Sequence, residues 1–309
     1  MISGRPQQVK IPPIQFCAGA ALTAGGGPPP DTLSSSPEDA GRQGKSIISD
    51  NEYRRRSGRR RGWAGMHDGR RFVAGIDGCK RGWVVVLLEL DPDRNLADES
   101  WRVVPSFEYV LRLPEEPRFL GVDLPIGLPN VAVPGGRTCD REARRLLGRK
   151  RGSSVFAPPV RAVLSADSYT KALALNRASS RHAIGLSRQV YNLVPKLREV
   201  HDTMTPILQG RVREVHPELS FMTMNGDRPL AHSKRTAAGK AQRLALLEHH
   251  FCRLAEALDW VRSEPAGEDD VIDAYAAAWS AWRMARGRAH YIPEQLQMDS
   301  RGLRMGIWY

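Results

Sequence analysis

Cysteine is scarce in this 309-residue chain, and no two of Cys17, Cys79, Cys139 and Cys252 stand in a CxxC pair. That scatter argues against a zinc ribbon or a disulfide scaffold, so a reducing cytoplasm is the expected compartment. Long apolar runs are missing as well: nothing approaches the roughly 18 residues that a membrane helix needs. The stretch Ile11–Leu22 is broken by Pro12 and Pro13 and offers no clean signal-peptide core. A phosphate loop is excluded, because the position six residues before Lys240, where that motif needs glycine, is Lys234. No internal repeat is visible.

Positive charge is what the chain has in excess, 46 Lys and Arg against 34 Asp and Glu, a net +12. Residues 1–71 hold 12 and 6 of these, so the other 238 residues hold 34 and 28, and each part carries +6. An anionic partner is therefore expected for the folded part too. The first part has Gly25 to Gly27 running into Pro28 to Pro30, and six arginines among Arg54 to Arg61. It has too few large aliphatics to offset its ordering entropy. We read residues 1–70 as a disordered basic extension. It is either an arm for nucleic acid or upstream text, and the reading favours Met66 as the true start.

From Phe72 the text changes. Phe72–Ile76 and Trp83–Leu90 are apolar, β-branched runs around a glycine-bounded turn, which predicts a hairpin. Trp101–Pro105, Arg118–Val122 and Arg211–His216 read as three further strands, and continuous apolar strands imply a sheet covered on both faces. Helices are predicted at Phe107–Leu113, Arg137–Leu147, Ala166–Ala178, Arg188–Leu208 with a kink at Pro195, Ala238–Val261 and Asp270–Met284. The fold class is α/β: a mixed five-stranded sheet with flanking helices and a helical insertion at about 130–210. The folded domain is placed at 71–290, with 291–309 as a tail.

Four carboxylates stand where elements begin or end: Asp77, Asp123, Asp270 and Asp273. Asp270 and Asp273 lie three apart on one helix, and Ala274 and Ala277 let that helix approach a sheet closely. If it crosses the first and fourth strands, all four acids converge. Converged carboxylates repel unless a cation neutralises them, and Mg²⁺ or Mn²⁺ suits oxygen ligands. Two such ions, roughly 3.5–4 Å apart, activate water and stabilise the leaving oxygen in phosphodiester cleavage. Plainer roles exist for each acid. Asp77 suits the turn before Gly78, Asp123 suits a strand end, and Asp270 suits a helix cap in competition with Glu268 and Asp269. Asp273, inside an apolar helix, is the hardest to explain that way.

The runs GIDGCKRGWVVV, GVDLPIGLP, RTCDREARRLLG, SSVFAPPVRAVL, GLSRQVYNLVPKLREV, EVHPELSF and DDVIDAYAAAW together resemble the uncharacterised family of predicted RNase-H-like nucleases, over about Phe72 to Trp282. The resemblance implies a ribonuclease-H-like fold, similar in its acids to Holliday-junction resolvases. On that pattern Asp77 and Asp123 end strands one and four, Asp270 and Asp273 belong to the last helix, and Glu214 or Glu218 is an auxiliary ligand or base.

The expected activity is therefore metal-dependent hydrolysis of nucleic acid, DNA or RNA. Lys80, Arg137, Arg141, Arg144, Arg145, Arg161 and Lys196 are the candidates for phosphate contacts. For the arginines around the helical insertion, a solvated helix face is the plainer alternative. Phe156, beside Ser153 and Ser154, could stack on a base but suits core packing better. His216 could ligate metal, although a satisfied core histidine fits better. Two rival functions stay open: a nucleotide-phosphate site like the hairpin of actin-like ATPases, and a catalytically silent nucleic-acid-binding scaffold. No membrane partner is expected. Trp308 and Tyr309 could anchor a homodimer.

Overall fold

Val84, Val85, Val86, Leu87 and Leu88 follow one another in the second apolar run, and a run without polar alternation needs cover on both sides. The computed structural model supplies that cover, and it describes residues 71–309. The basic extension, its arginine cluster, Cys17 and the alternative start at Met66 lie outside the described residues.

Strand β1 (Phe72–Cys79) turns back into β2 (Gly82–Leu90), which pairs with β3 (Leu96–Val104), all antiparallel. A short helix, α1 (Phe107–Leu111), leads to β4 (Phe119–Val122), parallel to β1 on its other edge. The segment that follows carries α2 (Thr138–Arg151), α3 (Tyr169–Ala178), α4 (Arg188–Asn192) and α5 (Val194–Thr203). Strand β5 (Val212–Glu214) then joins β4 in parallel, completing the order β3-β2-β1-β4-β5. Helices α6 (Pro217–Met224), α7 (Ala237–Glu248), α8 (Leu254–Val261) and α9 (Glu268–Ala285) follow. The chain closes on the antiparallel pair β6 (Tyr291–Met298) and β7 (Arg304–Trp308). This is a mixed five-stranded sheet with helices on both faces, consistent with a ribonuclease-H-like α/β fold. Among the described residues no helix is long and apolar enough to cross a membrane.

The sheet separates two apolar cores. Ala74, Ile76, Val85 and Leu87 face α1 and α5, while Val73, Val84, Val86 and Leu88 face α8 and α9. Strand alternation assigns these sets to opposite faces. Helix α9 lies closest to the sheet. A Cβ added at Gly75 would stand 2.0 Å from Ala274 O and from Ala278 N, and one at Gly121 2.6 Å from Ala277 O. Two strand glycines and a stripe of helix alanines thus let backbone meet backbone.

Several predicted boundaries move, each for a local reason. The stripe at 238–261 is real, since Leu247, Phe251 and Leu254 are buried, but the backbone breaks between α7 and α8. There the buried Glu99 carboxylate accepts the N–H groups of Cys252 (2.9 Å) and Arg253 (3.3 Å), replacing helical bonds. The predicted helix 188–208 is two helices, with Pro195 in the first turn of α5, where its missing N–H costs nothing. Residues 291–309, read as a tail, form β6 and β7, and Val215 bridges to Trp308 in parallel fashion. Trp308 is covered by the Arg213 guanidinium at 4.9 Å and stacks on Tyr291, so within this chain it is a packing residue and not an exposed dimer anchor.

Candidate functional site

Parallel pairing sets Ile76 opposite Val122, so the next residues, Asp77 and Asp123, emerge side by side at the same edge of the sheet. Asp123 N–H donates to Ile76 O at 2.9 Å, which holds the second strand end against the first. Helix α9, seated on Gly75 and Gly121 through Ala274, Ala277 and Ala278, brings Asp273 over these ends. One carboxylate oxygen from each of Asp77, Asp123 and Asp273 lies within 4.8 Å of the other two. The three acids line a cleft of about 520 Å³.

Enclosure changes their chemistry. Burial raises the Asp77 pKa well above the ordinary carboxylate value, and the charges of Asp123 and Asp273 push it further. Asp123 is raised in the same way, by burial and then by Asp273. Asp273 is raised by burial although Lys234 opposes the shift, its Nζ donating to Asp273 Oδ2 at 2.7 Å. Burial works against the charge of Lys234, but Asp273, Asp123 and Asp77 outweigh it and keep the ammonium firmly protonated.

Asp270 is not in the three-acid group. Its Oδ2 accepts Gly267 N–H at 2.8 Å, a reciprocal cap at the start of α9, while the residue still forms part of the cleft wall. The two auxiliary glutamates separate clearly. Glu214 is consumed by a buried network: its oxygens accept Arg137 at 2.5 and 2.8 Å and Ile126 N–H at 2.7 Å. Glu218, 6% exposed, accepts a hydrogen bond from Arg243 Nη2 at Oε1, but its buried Oε2 has no partner and the residue lines the cleft. His216 also lines the cleft, and its Nδ1 accepts Glu218 N–H at 3.2 Å as the cap of α6.

The predicted phosphate contacts are mostly spoken for. Arg137 is 3% exposed and pairs with Asp140 and Glu214, so it locks the Ile126–Gly127 loop rather than meeting a ligand. Arg141 donates to Gly136 O, Arg144 to Val155 O and Gly135 O, and Arg161 to Asp299. Lys196 pairs with Glu199 at 3.3 Å and lies over the Trp83 ring. Arg145 is exposed but does not line the cleft. Lys80 is exposed and, with Arg81, lines a second groove of about 530 Å³ that shares Asp270 with the first. The cations that do line the acid cleft are Lys150, Arg151, Lys234 and Arg235, beside Phe156 and Gln189. Lys150, Arg151 and Arg235 have no ion pair among the described residues, and Arg151 Nε is buried without a partner. Sequence reasoning missed Lys234 and Arg235, because 39 positions separate Lys234 from Asp273 and no motif joins them.

A three-carboxylate cleft at the C-terminal edge of two parallel strands, on a mixed five-stranded sheet, defines the class of this α/β protein. A family model described as "Protein of unknown function (DUF429)" matches residues 75–297, and the chain belongs to that family. No curated protein and no solved structure matches it.

Proposed function

We propose that this protein is a divalent-metal-dependent nuclease that hydrolyses phosphodiester bonds of nucleic acid. The observation that carries the reading is the convergence of Asp77, Asp123 and Asp273 from two strand ends and one helix. Asp273 is buried and Asp77 and Asp123 half-buried; three carboxylates held together by backbone packing repel one another, and an arrangement that stores such repulsion suits a cation. The donor set is all oxygen, which fits Mg²⁺ or Mn²⁺ rather than a soft metal. The unpartnered Oε2 of Glu218 on the same cleft adds a buried acceptor still in need of a partner.

Asp77, Asp123 and Asp273 would hold the ion, with Glu218 as the auxiliary acid. A divalent ion there supplies a nucleophile from water at neutral pH and neutralises charge that builds at phosphorus. The residues themselves do the rest. Lys150, Arg151 and Arg235 face the cleft without intramolecular partners and bind phosphates to either side of the scissile bond. Gln189, on the same walls, suits a base edge, and Phe156, which packs partly against the core as its sequence context suggests, offers the cleft only its remaining ring surface.

The test is a panel of labelled single-stranded, duplex and branched DNA and RNA, with Mn²⁺ or with chelator, wild type beside Asp123→Asn. Cleavage by the wild type with metal, lost in the variant by at least about a hundredfold, supports the proposal. Metal binding without cleavage of any substrate would overturn the nuclease reading and leave the scaffold alternative.

A further inference from the structure

We infer that Lys234 is the resident counter-ion of the acid cleft, a cation carried by the protein that a divalent ion must displace from Asp273. The inference rests on the metal-site reading above and says how that site is loaded. Among the described residues, Lys234 is the one cation in an ion pair with any of the three converging acids. Its Nζ sits 2.7 Å from Asp273 Oδ2. A Mg²⁺ ion binds carboxylate oxygen at about 2.0–2.1 Å. The two cations therefore compete for the same lone pairs.

The two ends of this pair differ in freedom. The Asp273 side chain is 8% exposed and rides on α9, which the backbone contacts at Gly75 and Gly121 fix against the sheet. The Lys234 side chain is 47% exposed and enters the cleft from its rim. Its own loop is anchored on both sides. Thr236 Oγ1 accepts Gly239 N–H at 3.1 Å, and Gly239 packs so closely on Ser233 O that a Cβ would stand 1.8 Å from it. The flexible part is thus the four-carbon stem of the lysine, which can withdraw by rotamer change while the loop stays in place. Without metal, the ammonium offsets part of the repulsion among three carboxylates. With metal, it is released toward the cleft mouth, beside Arg235.

The experiment is a calorimetric titration of Mn²⁺ into the full chain and into Lys234→Met, with melting temperatures at zero and saturating Mn²⁺. The variant lacks the competitor, so its Kd for Mn²⁺ should be tighter by about tenfold. It should also melt below wild type without metal, because a buried carboxylate has lost its partner, and level with wild type at saturation. An unchanged Kd, with the same loss of melting temperature at both metal concentrations, would mean that Lys234 merely ties its loop to α9, and would overturn the inference. Lys234→Arg keeps the charge and guards against a Met variant that fails to fold; it should bind Mn²⁺ within about twofold of wild type. A large gain in affinity there would equally count against displacement. If neither wild type nor variant binds Mn²⁺, the metal-site reading itself falls, a different outcome from equal binding by both.

Discussion

At the scale of the residue, Asp77 concentrates the electrostatics of the cleft. Burial raises its pKa first, and Asp123, Asp273 and Asp270 add to that, while Lys234 opposes them weakly. The sign of the consequence follows from linkage. A carboxyl whose pKa is higher in the native state than in the unfolded chain, where it is about 3.9, binds more protons when folded. Its contribution is least unfavourable below the unfolded value, and stability is lost as pH rises toward the folded value. Asp77→Asn removes that liability while its amide can still serve the Gly78 N–H that Asp77 Oδ1 now accepts. In chelator, the variant should match wild type near pH 4 and exceed it by about 1 kcal/mol near pH 8, where a repulsive pair has been relieved. In Mn²⁺ the order should reverse, because wild type alone gains the full ligand stabilisation. Thermal melts of both proteins across pH, with and without metal, check this. A variant less stable than wild type at pH 8 in chelator would show that Asp77 is held by favourable contacts and not by packing against repulsion.

At the scale of the element, the contact of α9 with β1 and β4 positions the chemistry. Asp273 precedes Ala274 by one residue, and Ala274 lies on Gly75. A methyl group at Gly75 meets helix backbone, which has no rotamer by which to escape. Gly75→Ala should therefore cost about 3 kcal/mol, at the upper end of ordinary overpacking. It should also weaken Mn²⁺ binding, since moving α9 outward carries Asp273 away from Asp77 and Asp123. Chemical denaturation and metal titration measure the two effects. Loss of stability with unchanged metal affinity would separate helix seating from the site. The Arg137 network belongs to the same scale. Glu214, Asp140 and Arg137 are buried together and join β5, α2 and the loop after β4. Residues of these types in this stretch look like phosphate-binding and ligating groups until the fold pairs them with each other.

At the scale of the whole molecule, the net positive charge matters only where it is unpaired. Many arginines of the insertion are neutralised by carboxylates or bonded to backbone oxygens, while Lys150 and Arg151, which have no ion pair among the described residues, line the cleft. Charge reversal at Arg151 and Arg235 together should lower nucleic-acid affinity and reduce the log–log salt slope by roughly 1.4–1.8, two phosphate contacts. Reversal at Arg145, which is exposed but away from the cleft walls, should leave the slope nearly unchanged. Fluorescence anisotropy over a salt series reads both. An equal change for both proteins would mean that binding follows overall charge and not the cleft.

How much of this was legible before folding depends on the range of the interaction. The strands at 72–76 and 83–90 and the buried stripe at 244–258 announce themselves through local periodicity, as do the strand-end positions of Asp77 and Asp123. The alanines at 274 and 277 even foretell the close seat of α9. Sequence by itself thus determined the sheet, its helical cover and three of the acids in the cleft. Tertiary structure alone decided which charges are spent and which are free. Glu214 meets Arg137 across 77 positions, Asp273 meets Lys234 across 39, and Glu99 breaks the predicted long helix from 153 positions away. Ion pairs and caps of that kind depend on distance in space, which has no periodic signature along the chain. Of the basic residues around the insertion, Arg137, Arg144 and Arg161 are bonded within the chain, while Lys150 and Arg151 stand in the cleft wall.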